Sequence, residues 1–287
     1  MENGRTAIKT VGILGAGTMG QGIAQVCAQA GFRTVLYDNN QQVLRKAREL
    51  TQDNLAAAVQ KGKLREDQQQ AALGLLSYSA DILDISADLI IEAVVERLEV
   101  KQGILRDLAA VNHPACILAT NTSSLSITRI AQGILNPGRI IGLHFFNPAP
   151  VMKLVEVILA RETKPETVAL VTEFTRQLGK VPVQAQDAPG FIVNRVARHY
   201  YLEALALAEE QVADIATIDQ LLEATGFKMG PFRLMDLIGN DINFAVTTSL
   251  FEAFHYTSRF RPSRIQEQKV AAGHLGRKSG KGFYEYT

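Results

Sequence analysis

The sequence predicts a doubly wound α/β domain followed by an all-helical one. Three observations lead there. From Lys9 to about Ala185, short apolar runs alternate with longer helical patterns, and the early runs are continuous, as in parallel strands covered on both faces. The first run leads directly into a glycine-rich turn, Gly15-Ala16-Gly17-Thr18-Met19-Gly20. After Asp187-Ala188-Pro189-Gly190 no convincing strand follows and only helical periodicity remains. The boundary is therefore placed at 1–187 and 188–287.

The strand candidates, in order, are Thr10–Leu14, Thr34–Tyr37, Leu89–Val94, Ile117–Thr120, Ile140–Leu143, Lys153–Ile158 and Val181–Gln184. Between the second and third, residues 40–75 are polar and helical, with a break at Lys61-Gly62-Lys63. That stretch reads as an inserted helical pair joined at the glycine. Beyond the boundary, Pro189 suits a helix start, and Phe191–Gln211 keeps helical period. Ile215–Thr225, Pro231–Leu237, Ile242–His255 and Ile265–Ala272 add further helices.

Composition narrows the function classes. With 47% hydrophobic and 21% charged residues the chain is a globular protein rather than a disordered one. A net charge of +1 does not suggest nucleic-acid binding. No run of about 18 apolar residues predicts a membrane span, and the opening MENGRTAIKTVGILGAG lacks the parts of a signal peptide. Cys27 and Cys116 are isolated in apolar segments, as buried reduced thiols are, so a cytoplasmic protein is expected. The five histidines, His113, His144, His199, His255 and His274, show no ligand spacing, so no metal is expected.

The glycine turn has a chemical reading. It follows an apolar strand, opens an amphipathic helix at Gln21–Ala30, and the next strand ends in Asp38 at the spacing of about 20 residues that dinucleotide sites use. Gly15 makes the turn, Gly17 admits a pyrophosphate to the backbone, and Gly20 lets helix pack on strand. The helix N-terminus offers unpaired N–H groups. Asp38 would accept bonds from a ribose 2′-hydroxyl and repel a 2′-phosphate, which predicts NAD rather than NADP in a Rossmann-type domain.

The segment RIIGLHFFNPAPVMKLVEVI holds two polar residues out of keeping with its apolar context. His144 closes one apolar run and Glu156 sits inside the next. A carboxylate buried on both faces of a strand needs a partner, and His144 lies just across the Asn147-Pro148-Ala149-Pro150 turn. Such a pair would fix one imidazole tautomer, stabilise the imidazolium and let the other ring nitrogen take a proton from a substrate hydroxyl. A structural ion pair is the competing reading of this segment alone. Asn121-Thr122-Ser123-Ser124 follows the Cys116–Thr120 run, at the sheet edge where ligands bind. A helix cap competes for these residues, Ser124 in particular. Asn194 lies about one turn into the first helix of the second domain, where a solvated polar face is the plain alternative.

Together these residues resemble the L-3-hydroxyacyl-CoA dehydrogenase family, including short-chain 3-hydroxybutyryl-CoA dehydrogenases. The matching stretches are GAGTMGQGIAQ, EAVVERLEVK, NTSSL, HFFNPAPVMKLVE, DAPGFIVNR, GFKMGPFRLMD and LGRKSGKGFYEY, which span nearly the whole chain. The resemblance implies NAD-dependent reversible oxidation of an L-3-hydroxyacyl-CoA to a 3-ketoacyl-CoA. It implies His144 as base, Glu156 as its orienting partner, Ser123 at the substrate's C3 oxygen and near the nicotinamide, and Asn194 holding substrate from the helical domain. Gly15, Ala16, Gly17, Thr18, Met19, Gly20 and Asp38 match the cofactor loop. Glu96, Lys101 and Asn147 match positions near its nicotinamide half, and Lys278 matches a cofactor-contacting lysine. Lys61 matches a coenzyme A contact, and the paired position carries Asn54 where the family has a serine; an amide still donates a hydrogen bond. The resemblance also implies a homodimer through the helical C-terminal domain and a site between the domains that closes over substrate. Acyl-chain length stays open between short-chain, 3-hydroxyadipyl and longer groups. Two rivals remain: a dehydrogenase of free β-hydroxy acids, which would use a lysine base, and a catalytically silent dinucleotide-binding protein.

Overall fold

Each apolar run read from the sequence forms a strand in the computed structural model, which describes residues 7–286. Residues 1–6, part of the stretch read for a signal peptide, lie outside the described residues. The strands are β1 (Thr10–Leu14), β2 (Arg33–Tyr37), β3 (Leu76–Ser79), β4 (Leu89–Glu92), β5 (Ile117–Thr120), β6 (Ile140–Phe145), β7 (Leu154–Leu159) and β8 (Val181–Gln186). They form one sheet in the order β3-β2-β1-β4-β5-β6-β7-β8. Neighbours from β3 to β6 pair in parallel, β7 is antiparallel to β6, and β8 is parallel to β7.

The helices of this unit are α1 (Thr18–Gln29), α2 (Gln41–Gln60), α3 (Glu66–Leu75), α4 (Leu98–Val111), α5 (Ile127–Ala131) and α6 (Pro165–Gln177). One sheet face buries Val11, Ile13, Ile91, Ile141, Leu143 and Phe145 against Ile23 and Cys27 of α1 and Val171 and Phe174 of α6. The other face belongs to the alternate residues. There a Cβ on Gly142 would stand 2.8 Å from Ile127 Cδ1, so α5 lies directly on β6 at this glycine. His144, two residues on, projects to the same face as Gly142. The inserted pair breaks where expected: α2 ends at Gln60, and Gly62 takes a φ of +65°, a conformation that suits glycine.

Two compact units divide between Ala188 and Pro189. The second contains α7 (Val193–Glu209), α8 (Ile215–Ala224), α9 (Pro231–Ile238), α10 (Asn240–Ala253) and α11 (Arg264–Ala271). Its core joins Tyr201, Ala204, Leu205, Ile218, Phe232 and Met235. The C-terminal segment is tied to α9, where Asp236 accepts the backbone N–H groups of Phe283 and Tyr284 at 2.9 Å each.

Four local readings need correction. β3 was absent from the strand candidates because Leu-Ser-Tyr-Ser at the sheet edge is only half-buried and offers no apolar run. Pro189 does not start α7. Gly190 and Phe191 both take positive φ, +72° and +47°, and so the helix begins at Val193. Asn194 therefore sits in the first turn of α7, not one turn in. α1 starts at Thr18, inside the glycine motif, rather than at Gln21.

Candidate active site

The antiparallel turn-back from β6 to β7 puts His144 and Glu156 in direct register. Residues opposite each other share a face, and His144 Nδ1 lies 2.8 Å from Glu156 Oε2. His144 is 6% exposed and Glu156 1%. A proton on Nδ1 facing the carboxylate fixes the tautomer and assigns base chemistry to Nε2. β6 runs on to Phe145, so His144 lies within the strand rather than closing it. The Phe146 ring sits 4.4 Å from the imidazole, centroid to centroid. The turn between the strands is pinned by Lys180, whose Nζ donates to the Ala149 and Met152 carbonyls at 2.6 and 2.8 Å.

The Asn121–Ser124 loop leaves β5 next to the end of β6. Asn121 Oδ1 accepts the Phe145 N–H at 2.8 Å, which ties this loop to the backbone immediately after His144. Glu96 holds the loop from the other side. Its Oε1 accepts from Thr122 Oγ1 at 2.6 Å, from the Ser123 and Ser124 N–H groups at 2.9 and 3.2 Å, and from their hydroxyls at 3.3 and 3.2 Å. Its Oε2 lies 3.2 Å from Lys101 Nζ. Burial alone would raise the Glu96 carboxyl, but the Lys101 ammonium and the bonds from Thr122 and Ser123 outweigh it and hold it below its ordinary range. Ser124 is not the helix cap. Ser126 caps α5 by accepting from the Arg129 N–H, and Asp187 accepts from the Ile127 and Thr128 N–H groups.

The glycine loop has the shape a pyrophosphate needs. Gly15 takes a φ of +92°, and a Cβ there would lie 2.7 Å from the Ala93 carbonyl oxygen. A Cβ on Gly20 would fall 1.7 Å from the Gly15 carbonyl oxygen, so this glycine is required where helix meets strand. Gly17 differs: nothing lies within 4 Å of an added Cβ. Gly17 is also the N-cap of α1, with no side chain capping the helix and no acid in its first turn. An open backbone at an uncapped helix N-terminus suits an anion. Asp38 at the end of β2 accepts from the Ala16 N–H at 2.9 Å through Oδ2 and from the Asn40 N–H at 2.9 Å through Oδ1. It therefore shapes the loop.

His144, Glu156, Asn121, Ser123, Glu96 and Lys101 thus gather at one edge of the sheet, where β4, β5 and β6 end. Asn147 follows in the β6–β7 turn and is exposed. Asn54 and Lys61 lie on α2 and at its C-cap, both exposed, with Asn54 Nδ2 3.4 Å from Gln25 Oε1. In the helical unit, the Asn194 carbonyl accepts from Arg198 Nε at 3.3 Å, and Lys278 Nζ pairs with Asp241 Oδ1 at 2.6 Å. Three residues of this architecture had no assigned role from sequence, Glu92, Lys180 and Asp187, and Asn121 was read only as part of the loop at the sheet edge. Only Glu92 carried a local signal, an acid ending the apolar strand Leu-Ile-Ile-Glu, the same kind that marked Glu156.

Residues 10–188 match the family model described as 3-hydroxyacyl-CoA dehydrogenase, NAD binding domain, and 190–286 match the 3-hydroxyacyl-CoA dehydrogenase C-terminal domain. A 3-hydroxyadipyl-CoA dehydrogenase of Escherichia coli K12 is 50% identical over 97% of this chain, which spans 59% of that protein's length. A probable 3-hydroxybutyryl-CoA dehydrogenase of Deinococcus radiodurans is 40% identical over 96% of this chain and 99% of its own. The crystal structure of (S)-3-hydroxybutyryl-CoA dehydrogenase from Ralstonia eutropha superposes with a TM-score of 0.94 at 38% identity, over 98% of this chain and 100% of that one.

Proposed function

The chain belongs to the 3-hydroxyacyl-CoA dehydrogenase family, and on that premise we propose that it oxidises an L-3-hydroxyacyl-CoA reversibly to the 3-ketoacyl-CoA with NAD, a short acyl chain such as 3-hydroxybutyryl being the substrate. The observation that carries this reading is the buried His144–Glu156 contact at 2.8 Å beside the Ser123 loop.

His144 takes the C3 hydroxyl proton at Nε2, and Glu156 stabilises the imidazolium that results. The Ser123 hydroxyl orients the C3 oxygen toward His144, and Asn194 also holds substrate. NAD, when bound, supplies the acceptor for the hydride that leaves C3. Gly15, Ala16, Gly17, Thr18, Met19 and Gly20 hold its pyrophosphate, and Asp38 holds its adenine ribose. Glu96, Lys101, Asn147 and Lys278 serve its nicotinamide half. Asn54 and Lys61, seven residues apart and so on one side of α2, offer an amide and a cation to coenzyme A phosphates.

A second substrate is favoured by one specific observation, the 50% identity to a protein named for 3-hydroxyadipyl-CoA. Steady-state oxidation of 3-hydroxybutyryl-CoA, 3-hydroxyadipyl-CoA and free 3-hydroxybutyrate with NAD separates the readings. Turnover of the short-chain CoA ester and none of the free acid is expected. A higher kcat/KM for the adipyl ester would move the substrate to the dicarboxyl class, and turnover of the free acid alone would remove the CoA reading.

The protein acts in the cytoplasm in this reading. Its two cysteines are unbridged and buried, and no helix among the described residues is long and apolar enough to cross a membrane. It works as a homodimer through the helical unit, whose surface exposes Val196, Leu221, Phe227, Leu237 and Ile242. Sedimentation at micromolar concentration should give twice the chain mass; a monomer would contradict this.

A further inference from the structure

Glu92 ends β4 with its side chain 0% exposed, and Lys101 of α4 is 1% exposed. Their ions meet at 2.7 Å. A buried ion pair is a poor device for stability, because both ions lose their hydration and an apolar pair of similar volume often does as well. The arrangement around this one has a direction. Glu92 Oε1 accepts from Lys101 Nζ and from the Val94 N–H, each at 2.7 Å, and its Oε2 accepts from Thr120 Oγ1 at 2.7 Å. The Glu92 side chain is thus held by three donors. The Lys101 ammonium it grips also reaches Glu96 Oε2 at 3.2 Å and the Val94 carbonyl at 3.5 Å. Glu96 is left with Oε1 turned to the Ser123 and Ser124 N–H and hydroxyl groups.

We propose that Glu92 is a positioning residue for Ser123, acting through Lys101 and Glu96. By holding the Lys101 ammonium between two carboxylates, it stops Lys101 from drawing Glu96 off the serine loop. A backbone bond runs parallel to this relay, the Asn121 N–H donating to the Glu92 carbonyl at 2.7 Å. The catalytic part of this inference rests on Ser123 orienting the substrate oxygen, as proposed above; the positional part does not.

The test is Glu92→Gln, Lys101→Met and the double variant, assayed for acetoacetyl-CoA reduction by NADH, together with a crystal structure of Glu92→Gln. Gln keeps the size of Glu92 and one oxygen for the Val94 N–H and Lys101, and its amide N–H2 faces Thr120 Oγ1, which can accept, but it gives up the charge. Expected is a fall in kcat of roughly tenfold, the size of a coupling within one hydrogen-bonded network, with KM for the CoA ester unchanged. The double variant should be no slower than Lys101→Met alone, and the Glu96 carboxylate should turn toward Lys101 and away from Ser123 Oγ. A purely structural pair would lower the melting temperature and leave kcat intact. That result, additive losses in the double variant, or unchanged Glu96 contacts in the crystal would each overturn the proposal. If Glu92→Gln does not fold, Thr120→Val decides, since it removes one donor to Glu92 without changing shape. A lower kcat at unchanged KM supports the relay, and parental kcat overturns it. A parent protein inactive on every acyl-CoA would defeat the functional reading, while the Glu96 geometry in the Glu92→Gln crystal would still decide whether Glu92 positions the loop.

Discussion

His144 and Glu156 stand out in the sequence because an imidazole and a carboxylate are costly in apolar strands. What the sequence could not supply was register. A slip of one residue would send one side chain to the other face, and the pairing of His144 with Glu156 excludes it. Glu156→Gln keeps the size and one acceptor oxygen but removes the charge opposite the imidazolium. It is expected to lower kcat by about 10²-fold or more while NADH binding, followed by fluorescence, stays at the parental level. Full turnover in that variant would reduce Glu156 to a structural partner. Glu96 gives a pH prediction. Its folded carboxyl lies below the ordinary value of 4.5, so its contribution to stability is complete above pH 4.5 and fades as pH falls through the lower folded value. Melting temperatures of the parent and Glu96→Gln should differ by a constant amount above that pH and converge below it. Convergence beginning near neutrality would show a raised carboxyl instead. The contacts of Asn121 and Lys180 were not legible in advance. They are side-chain bonds to backbone 24 and 31 residues away, and no local periodicity encodes them.

At the scale of elements, two glycines of one six-residue loop face different constraints. Gly20 cannot accept a Cβ without meeting the Gly15 carbonyl, whereas Gly17 meets nothing. Gly17→Ala should therefore keep the parental melting temperature and lose NADH affinity by tenfold or more, on the order of 1–3 kcal/mol of overpacking against a pyrophosphate. Gly20→Ala should lose stability first. The reverse order in calorimetry and NADH titration would mean that the loop does not face the cofactor. The turn joining β6 to β7 gives a second case. Lys180→Met removes two bonds to carbonyls, and hydrogen bonds to a charged group contribute about 1.5–3 kcal/mol. Urea unfolding should show a loss of that size, and no change would mean that the pin is dispensable. Seven strands were legible as short apolar runs, the early ones continuous. β3 was not, since Leu-Ser-Tyr-Ser offers no apolar run. The start of α7 was missed because two left-handed residues, Gly190 and Phe191, follow Pro189 and interrupt a helix that proline otherwise suits.

At the scale of the whole molecule, the change from alternating strands and helices to helices alone divides the sequence, and the compact units part between Ala188 and Pro189. The family match covers both units, residues 10–188 and 190–286. The central claim is that this chain runs 3-hydroxyacyl-CoA chemistry with His144 as its base. Its most direct test is the loss of NADH absorbance with acetoacetyl-CoA, measured for the parent and for His144→Gln, and repeated with NADPH. The parent should consume NADH readily and NADPH poorly. His144→Gln should be slower by about 10²–10⁴-fold with NADH binding kept. An inactive parent, or a His144→Gln variant turning over at the parental rate, would contradict the account.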